Sequence, residues 1–137
     1  MQNEFWDTSV YIAKARAKED WLSENNELYL SSVVAAELAT GFIQRKEILP
    51  RFEEYINRFK LRKRLITPTA YDWYLTGLVI GEIILARPDL KNKKALLFND
   101  CLIATSSKSV NAKVLTANKS DFELIRKWLN FEVGYIN

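Results

Sequence analysis

Four carboxylates stand where their surroundings make them more than solubilising charges: Asp7, Glu37, Asp100 and Asp121. Asp7 follows the short run Glu4-Phe5-Trp6 and precedes Thr8 and Ser9. Glu37 lies among Val33, Val34, Ala35, Ala36, Leu38 and Ala39, where an isolated charge is expensive unless it is paired or bound to a metal. Asp100 follows Asn99 at the start of an apolar segment, and Asp121 comes shortly after Thr116 and Asn118. The chain has no histidine and a single cysteine, Cys101, which excludes His-based zinc sites, Ser-His triads and imidazole acid/base chemistry. Carboxylates, hydroxyls, lysines and a cation held by oxygen remain. An oxygen-only donor set suits Mg²⁺ or Mn²⁺ rather than zinc. Each acid also has an ordinary reading: Asp7 and Asp100 as helix N-caps, and Asp121 as a first-turn charge facing the helix dipole.

The elements that must position these acids follow from propensity and period. Glu4–Trp6 reads as a strand ending at Asp7-Thr8-Ser9, with a helix from Val10 to about Trp21. Leu28–Leu30 reads as a second strand, and Ser31-Ser32 opens a helix from Val33 to about Lys46. Pro50 begins a helical stretch with Phe52, Tyr55, Ile56 and Phe59 on one face. Leu65–Thr67 is a third strand, and Thr69 caps a long apolar helix to about Ala86. Arg87 to Lys94 reads as a polar loop, followed by a helix from about Cys101 to Val110 with Asn99-Asp100 at its start. Lys113–Thr116 is a fourth strand, a helix runs from Ser120 or Asp121 through Leu129, and Phe131–Val133 is a last short strand. Strands and helices alternate with short links, the pattern of an α/β fold with a mostly parallel sheet of about four or five strands flanked by helices. No repeat, low-complexity tract or linker interrupts it, so one domain is expected over 1–137. In open sheets of this kind the ligand sits beyond the carboxyl ends of the strands, where the four carboxylates Asp7, Glu37, Asp100 and Asp121 would converge, with Asn118 beside them.

Hydrophobic residues make up 48% of the 137 and charged residues 27%, an ordinary globular balance. One cysteine permits no internal disulfide and agrees with a cytoplasmic, reducing location. The start of the chain does not read as a signal peptide, and the apolar run Leu75–Ala86 is too short and too interrupted to span a bilayer, so no membrane partner is expected. The net charge of +3 is unevenly spread: residues 1–40 carry 3 basic against 7 acidic groups, residues 41–70 carry 8 against 3, and residues 87–119 carry 7 against 2. Arg62-Lys63-Arg64 and the lysines 91, 93 and 94 are the densest basic clusters, which suits either a polyanionic partner or a solvated face. Trp6, Trp21, Trp73 and Trp128 offer stacking surfaces if they are not spent on packing.

Four segments, in order, resemble the motifs of PIN-domain ribonucleases, and among these the VapC toxins of type II toxin-antitoxin systems. Phe5-Trp6-Asp7-Thr8-Ser9-Val10-Tyr11-Ile12 is similar to the first, and Ser31-Ser32-Val33-Val34-Ala35-Ala36-Glu37-Leu38 to the second. Asn99-Asp100-Cys101-Leu102-Ile103-Ala104-Thr105 is similar to the third, and Val114 to Phe122, with Leu-Thr-x-Asn-x-x-Asp-Phe, to the fourth. Cys101 stands where Ala is common, as do Ser106 and Ser107, and none of these is an acid of the set. The resemblance implies a PIN-like fold and a metal-dependent endoribonuclease cutting RNA with Mg²⁺ or Mn²⁺. Asp7 and Asp100 would be the main metal ligands, and Asp121 would complete the cluster or help hold a second ion. Glu37 would orient a metal-bound water, with Ser9, Thr116 and Asn118 lining the site. It also implies an antitoxin partner and a homodimer. Arg62, Lys63, Arg64, Lys93 and Lys94 would carry the RNA backbone. Three rivals remain: a housekeeping PIN nuclease acting on RNA or structured DNA, a PIN fold without chemistry, and a phospho-acceptor receiver domain, which would want paired acids after its first strand.

Overall fold

The computed structural model of the protein describes residues 2–20 and 25–137. Among these, five strands form one sheet: β1 (Glu4–Trp6), β2 (Leu28–Ser31), β3 (Leu65–Ile66), β4 (Lys113–Thr116) and β5 (Val133–Tyr135). The order is β3-β2-β1-β4-β5, and every pairing is parallel. The helices are α1 (Thr8–Arg16), α2 (Ser32–Phe42), α3 (Leu49–Leu61), α4 (Ala70–Ala86), α5 (Lys94–Ser109) and α6 (Lys119–Arg126). The expected α/β class with a parallel sheet is what is observed. After β1 the chain moves to one side through β2 and β3, then crosses to the other through β4. The crevice between β1 and β4 is therefore the topological switch point, where a ligand of such a sheet is expected.

The sheet's inner positions supply the core. Phe5, Leu28, Leu30 and Val114 are essentially inaccessible, and Phe52, Tyr55, Leu97, Ile103 and Phe122 close over them from the helices. Tyr11 and Tyr55 bury their hydroxyls together at 3.0 Å, so neither polar tip is stranded. Thr69 caps α4 as expected, in a reciprocal box: its hydroxyl accepts from Asp72 N at 3.1 Å, and its own N–H donates to the Asp72 carboxylate at 2.9 Å. Ser106 and Ser107, buried in α5, donate to the carbonyls of Leu102 and Ala104, which makes serine tolerable there. No helix among the described residues is long and apolar enough to cross a membrane.

Several boundaries differ from expectation. Helix α1 stops at Arg16, not near Trp21, which lies outside the described residues. Lys18 turns into the left-handed region (φ 58°), and its N–H donates to Ala15 O while Glu19 N donates to Lys14 O at 2.9 Å. This is a Schellman stop with lysine where glycine is usual. The same stop ends α3 at Lys63 (φ 59°) and α5 at Asn111 (φ 56°). Helix α2 ends at Phe42, whose ring packs on Phe52 at 5.0 Å, rather than at Lys46, and Ile43 beyond it faces solvent. The segment expected as a loop before Asp100 is a 3₁₀ turn, Pro88–Lys93, which feeds directly into α5 at Lys94. Leu97, fully buried, anchors that extra turn, so Asp100 lies inside the helix and is not its cap. Strand β5 begins two residues late because Phe131 is spent in the core against Phe122.

Candidate active site

Asp7 occupies the N-cap position of α1, yet its side chain makes no capping hydrogen bond. Its Oδ2 instead accepts from Ser9 Oγ at 2.9 Å and from Thr116 Oγ1 at 2.8 Å, the second reaching across the β1–β4 crevice. Thr116 Oγ1 in turn accepts from Asn118 N at 2.9 Å, and Ser9 Oγ accepts from Ala117 N at 2.9 Å. The carboxylate is thus locked between the ends of two parallel strands, with only 5% of the residue exposed.

Asn118 caps α6 and ties together two further acids. Its Nδ2 donates to Asp121 Oδ2 at 3.0 Å and to Asp100 Oδ2 at 3.3 Å. Asp121 Oδ1 accepts from Lys93 Nζ at 2.6 Å, so both of its oxygens are engaged. Glu37, half-buried on α2, accepts from Thr8 Oγ1 at 3.0 Å. An Asn99 side-chain hydrogen bond also favours its charged form, but burial prevails and, with Asp7 nearby, lifts its carboxyl above the usual range.

Asp100 feels the whole group. Burial first, then the charges of Asp7, Asp121 and Glu37, push its carboxyl up to about 8, while Lys93 pulls the other way. All four expected acids therefore meet at one rim, together with Ser9, Thr116 and Asn118. The capping readings of Asp7 and Asp100 do not describe their side chains.

The basic residues divide differently from expectation. Arg64 donates to Leu28 O at 2.9 Å and to Asn3 Oδ1 at 3.2 Å, and its guanidinium lies 3.9 Å from the Tyr29 ring centre. It sits at the amino ends of β1 and β2, and Arg62 and Lys63 just precede β3. The Arg62-Lys63-Arg64 cluster thus occupies the edge of the sheet opposite the acids, because parallel strands put all amino ends on one side. Lys93 belongs to the acid cluster itself, and Lys94 beside it is exposed. Sequence reasoning gave no role to Thr8 or Asn99, the partners of Glu37. Both lie beside a motif acid, at Asp7 and at Asp100, and that adjacency was the available signal. Trp73, about half exposed, borders a groove of about 590 Å³ whose walls include Glu37, Asn99 and Thr40.

An all-parallel sheet with a carboxylate cluster at its switch point defines an α/β protein built to act at the ends of β1 and β4. The chain belongs to the PIN domain family, whose pattern it matches over residues 5–127. PIN domains are nucleases, so the coarse activity is hydrolysis of nucleic acid. No curated protein is similar enough to the chain to count as a relative. Among solved structures, a chain of FitAB bound to the IR36 DNA fragment superposes with a TM-score of 0.70 at 15% identity, covering 96% of this chain and 94% of that one. VapBC2 from Rickettsia felis, bound to a DNA fragment from its promoter, gives 0.57 at 23% identity with 98% of each chain covered. DNA-bound VapBC from Salmonella typhimurium gives 0.57 at 19% identity, again over 98% of each. At these identities the likeness is one of fold.

Proposed function

We propose that the protein is a metal-dependent endoribonuclease of the VapC toxin type. The observation that carries this reading is the convergence of Asp7, Glu37, Asp100 and Asp121 on one rim, close enough that three of them raise the fourth's affinity for a proton. A cluster of like charges is costly and persists where it serves a ligand.

The donor set suits a hard divalent cation. Among the described residues no three His, Cys, Asp or Glu side chains stand arranged to enclose an ion by themselves. Mg²⁺ needs no such cage: it commonly takes one or two carboxylates and completes its shell with water and substrate phosphate. Asp7 and Asp100 would hold it, with Glu37 reaching it through water. Bound there, Mg²⁺ or Mn²⁺ would supply an acidified water and neutralise phosphate oxygens. The chain's own groups do the rest. Ser9 and Thr116 fix the Asp7 carboxylate, Thr8 and Asn99 aim Glu37 at the attacking water, and Asn118 keeps Asp100 and Asp121 from swinging apart. Trp73 at the neighbouring groove offers a face on which an RNA base can stack.

RNA incubated with the protein should be cut in Mg²⁺ or Mn²⁺ and left intact in excess EDTA. Mapping the new ends would identify the target. Undiminished cutting in EDTA would sink the reading. The VapBC and FitAB structures were solved as complexes bound to DNA, which supports a cognate antitoxin here too, with a basic tail residue that would pair with the acidic rim. A homodimer and a cytoplasmic location complete the proposal.

The edge location of the Arg62-Lys63-Arg64 cluster has its own consequence. A hexanucleotide seated at the acidic rim should not touch the opposite edge. Replacing both Arg62 and Lys63 with Gln should leave unchanged the slope of log affinity against log salt. Lys94→Gln should flatten it by about 0.7, one phosphate contact on a single strand. Equal slopes for Lys94→Gln and wild type would remove Lys94 from the substrate path.

A further inference from the structure

Asp121 differs from the other acids of the rim in having a cation on it. Lys93 Nζ lies 2.6 Å from Asp121 Oδ1, and Asn118 Nδ2 takes Oδ2 at 3.0 Å. The Asp121 side chain is 9% exposed, whereas that of Lys93 is 41% exposed. The ammonium is therefore anchored on its inner side and open on its outer side, with hydrogen-bond donors to spare. Its charge is felt at Asp100, so it lies within the field of the cluster. The cleft of about 340 Å³ beside Lys93 and Asp121 is also lined by Ser120, Glu123, Lys127 and Arg87, the last paired with Asp89 at 2.8 Å.

We propose that Lys93 is a phosphate-binding residue of this site, and that Asp121 holds this lysine instead of a second metal ion. This rests on the nuclease reading above. Phosphodiester hydrolysis needs positive charge on both the attacking and the leaving side, which two-metal sites supply with a pair of ions a few ångströms apart. Here one cation would sit at Asp7 and Asp100, and the ammonium supplies the second charge. Asp121 is then a positioning residue: it fixes Lys93 Nζ, and through Asn118 it keeps that charge in register with Asp100. The strand beyond the scissile phosphate leaves along the cleft past Ser120 toward Lys127.

Calorimetry with Mn²⁺ alone, cleavage rates, and binding of a hexanucleotide in EDTA test this together. Wild type should take one Mn²⁺ per chain. Lys93→Met should keep that binding and melt within a few degrees of wild type, yet cleave roughly 100-fold more slowly. Lys93→Arg, which restores the charge, should recover to within about tenfold of wild type. Asp121→Asn should be slowed about as much as Lys93→Met, and the double variant no more than the worse single one, because the two act as a unit. Two Mn²⁺ per wild-type chain, loss of all Mn²⁺ binding in Asp121→Asn, or Lys93→Met cleavage within threefold of wild type would each overturn the assignment. If wild type cuts no RNA, the nuclease reading fails separately. Hexanucleotide affinity then decides for Lys93: several-fold weaker binding by Lys93→Met supports an anion contact, and unchanged binding overturns it.

Discussion

Asp100→Asn is expected to lose RNA cleavage by at least roughly 100- to 1,000-fold, and yet to melt no lower than wild type in EDTA. Asp100 is buried, and its neighbours Asp7, Asp121 and Glu37 all oppose its negative charge. An amide keeps the shape, and its oxygen can still accept from Asn118, but it is neutral without taking up the proton that Asp100 must bind to sit among these charges. Sites that bind and react often carry such a stability cost, and relieving it stabilises the empty protein. Mg²⁺ should raise the melting temperature of wild type, since only the folded chain brings Asp7 and Asp100 together; at a hundredfold excess over its dissociation constant the gain is about 2.7 kcal/mol. That gain should shrink in the variant. Paired melts with EDTA and with Mg²⁺ check both halves. Identical metal responses in the two proteins would remove Asp100 from the ligand set.

The second large effect is on pH. Asp100 has a folded-state carboxyl near 8, far above its ordinary value of 3.8. The folded protein thus holds a proton there that the unfolded chain has already released. A group raised in this way contributes stability that is complete below the unfolded value and is lost as pH rises through the folded one. Metal-free protein should therefore become less stable between about pH 4 and pH 8 through this group, by an amount on the order of a few kcal/mol. Glu37, raised in the same direction, adds to the trend. Divalent metal must displace the proton, so its stabilising effect should grow over the same interval. Melting curves at pH 5 and pH 8.5, with and without Mg²⁺, test this. A metal-free melting temperature that does not depend on pH, or a dependence that survives in Asp100→Asn, would show that Asp100 is not the group responsible.

Much of this architecture was legible in the chain. The expected strands fall close to those observed because each is a short apolar or β-branched run bounded by a polar stop, and parallel order follows from their alternation with helices. The four acids were legible because Glu37 is out of place in its apolar surroundings and because the motifs come in order. Helix ends were harder. Nothing in Ala13 to Asp20 announces a stop, since the left-handed turn at Lys18 is imposed by the backbone bonds it closes and not by a glycine. Asn99-Asp100 has the composition of a cap, and only the burial of Leu97 shows that the helix began earlier. The basic clusters could be counted but not placed. Net charge along the chain does not say which end of a parallel sheet a residue occupies, and that end separates Arg64 from the acids. Lys93 was legible as a cation and not as the partner of Asp121, 28 residues away.

The central strand carries a consequence for the chain as it is made. Glu4 pairs with Leu28 on one side and with Lys113 on the other, and Asp7 receives its hydrogen bond from Thr116, 109 residues further on. A growing chain can dock β1 on β2 early, but the crevice that orients Asp7 does not exist until β4 arrives. Contacts of such separation also close slowly, because the loop entropy is lost before they form. A nascent or truncated product that ends between residues 100 and 113 therefore has Asp7, Glu37 and Asp100 in its sequence and no site in its structure. The reactive geometry is thus withheld until β4 has been added to the chain and docked beside β1.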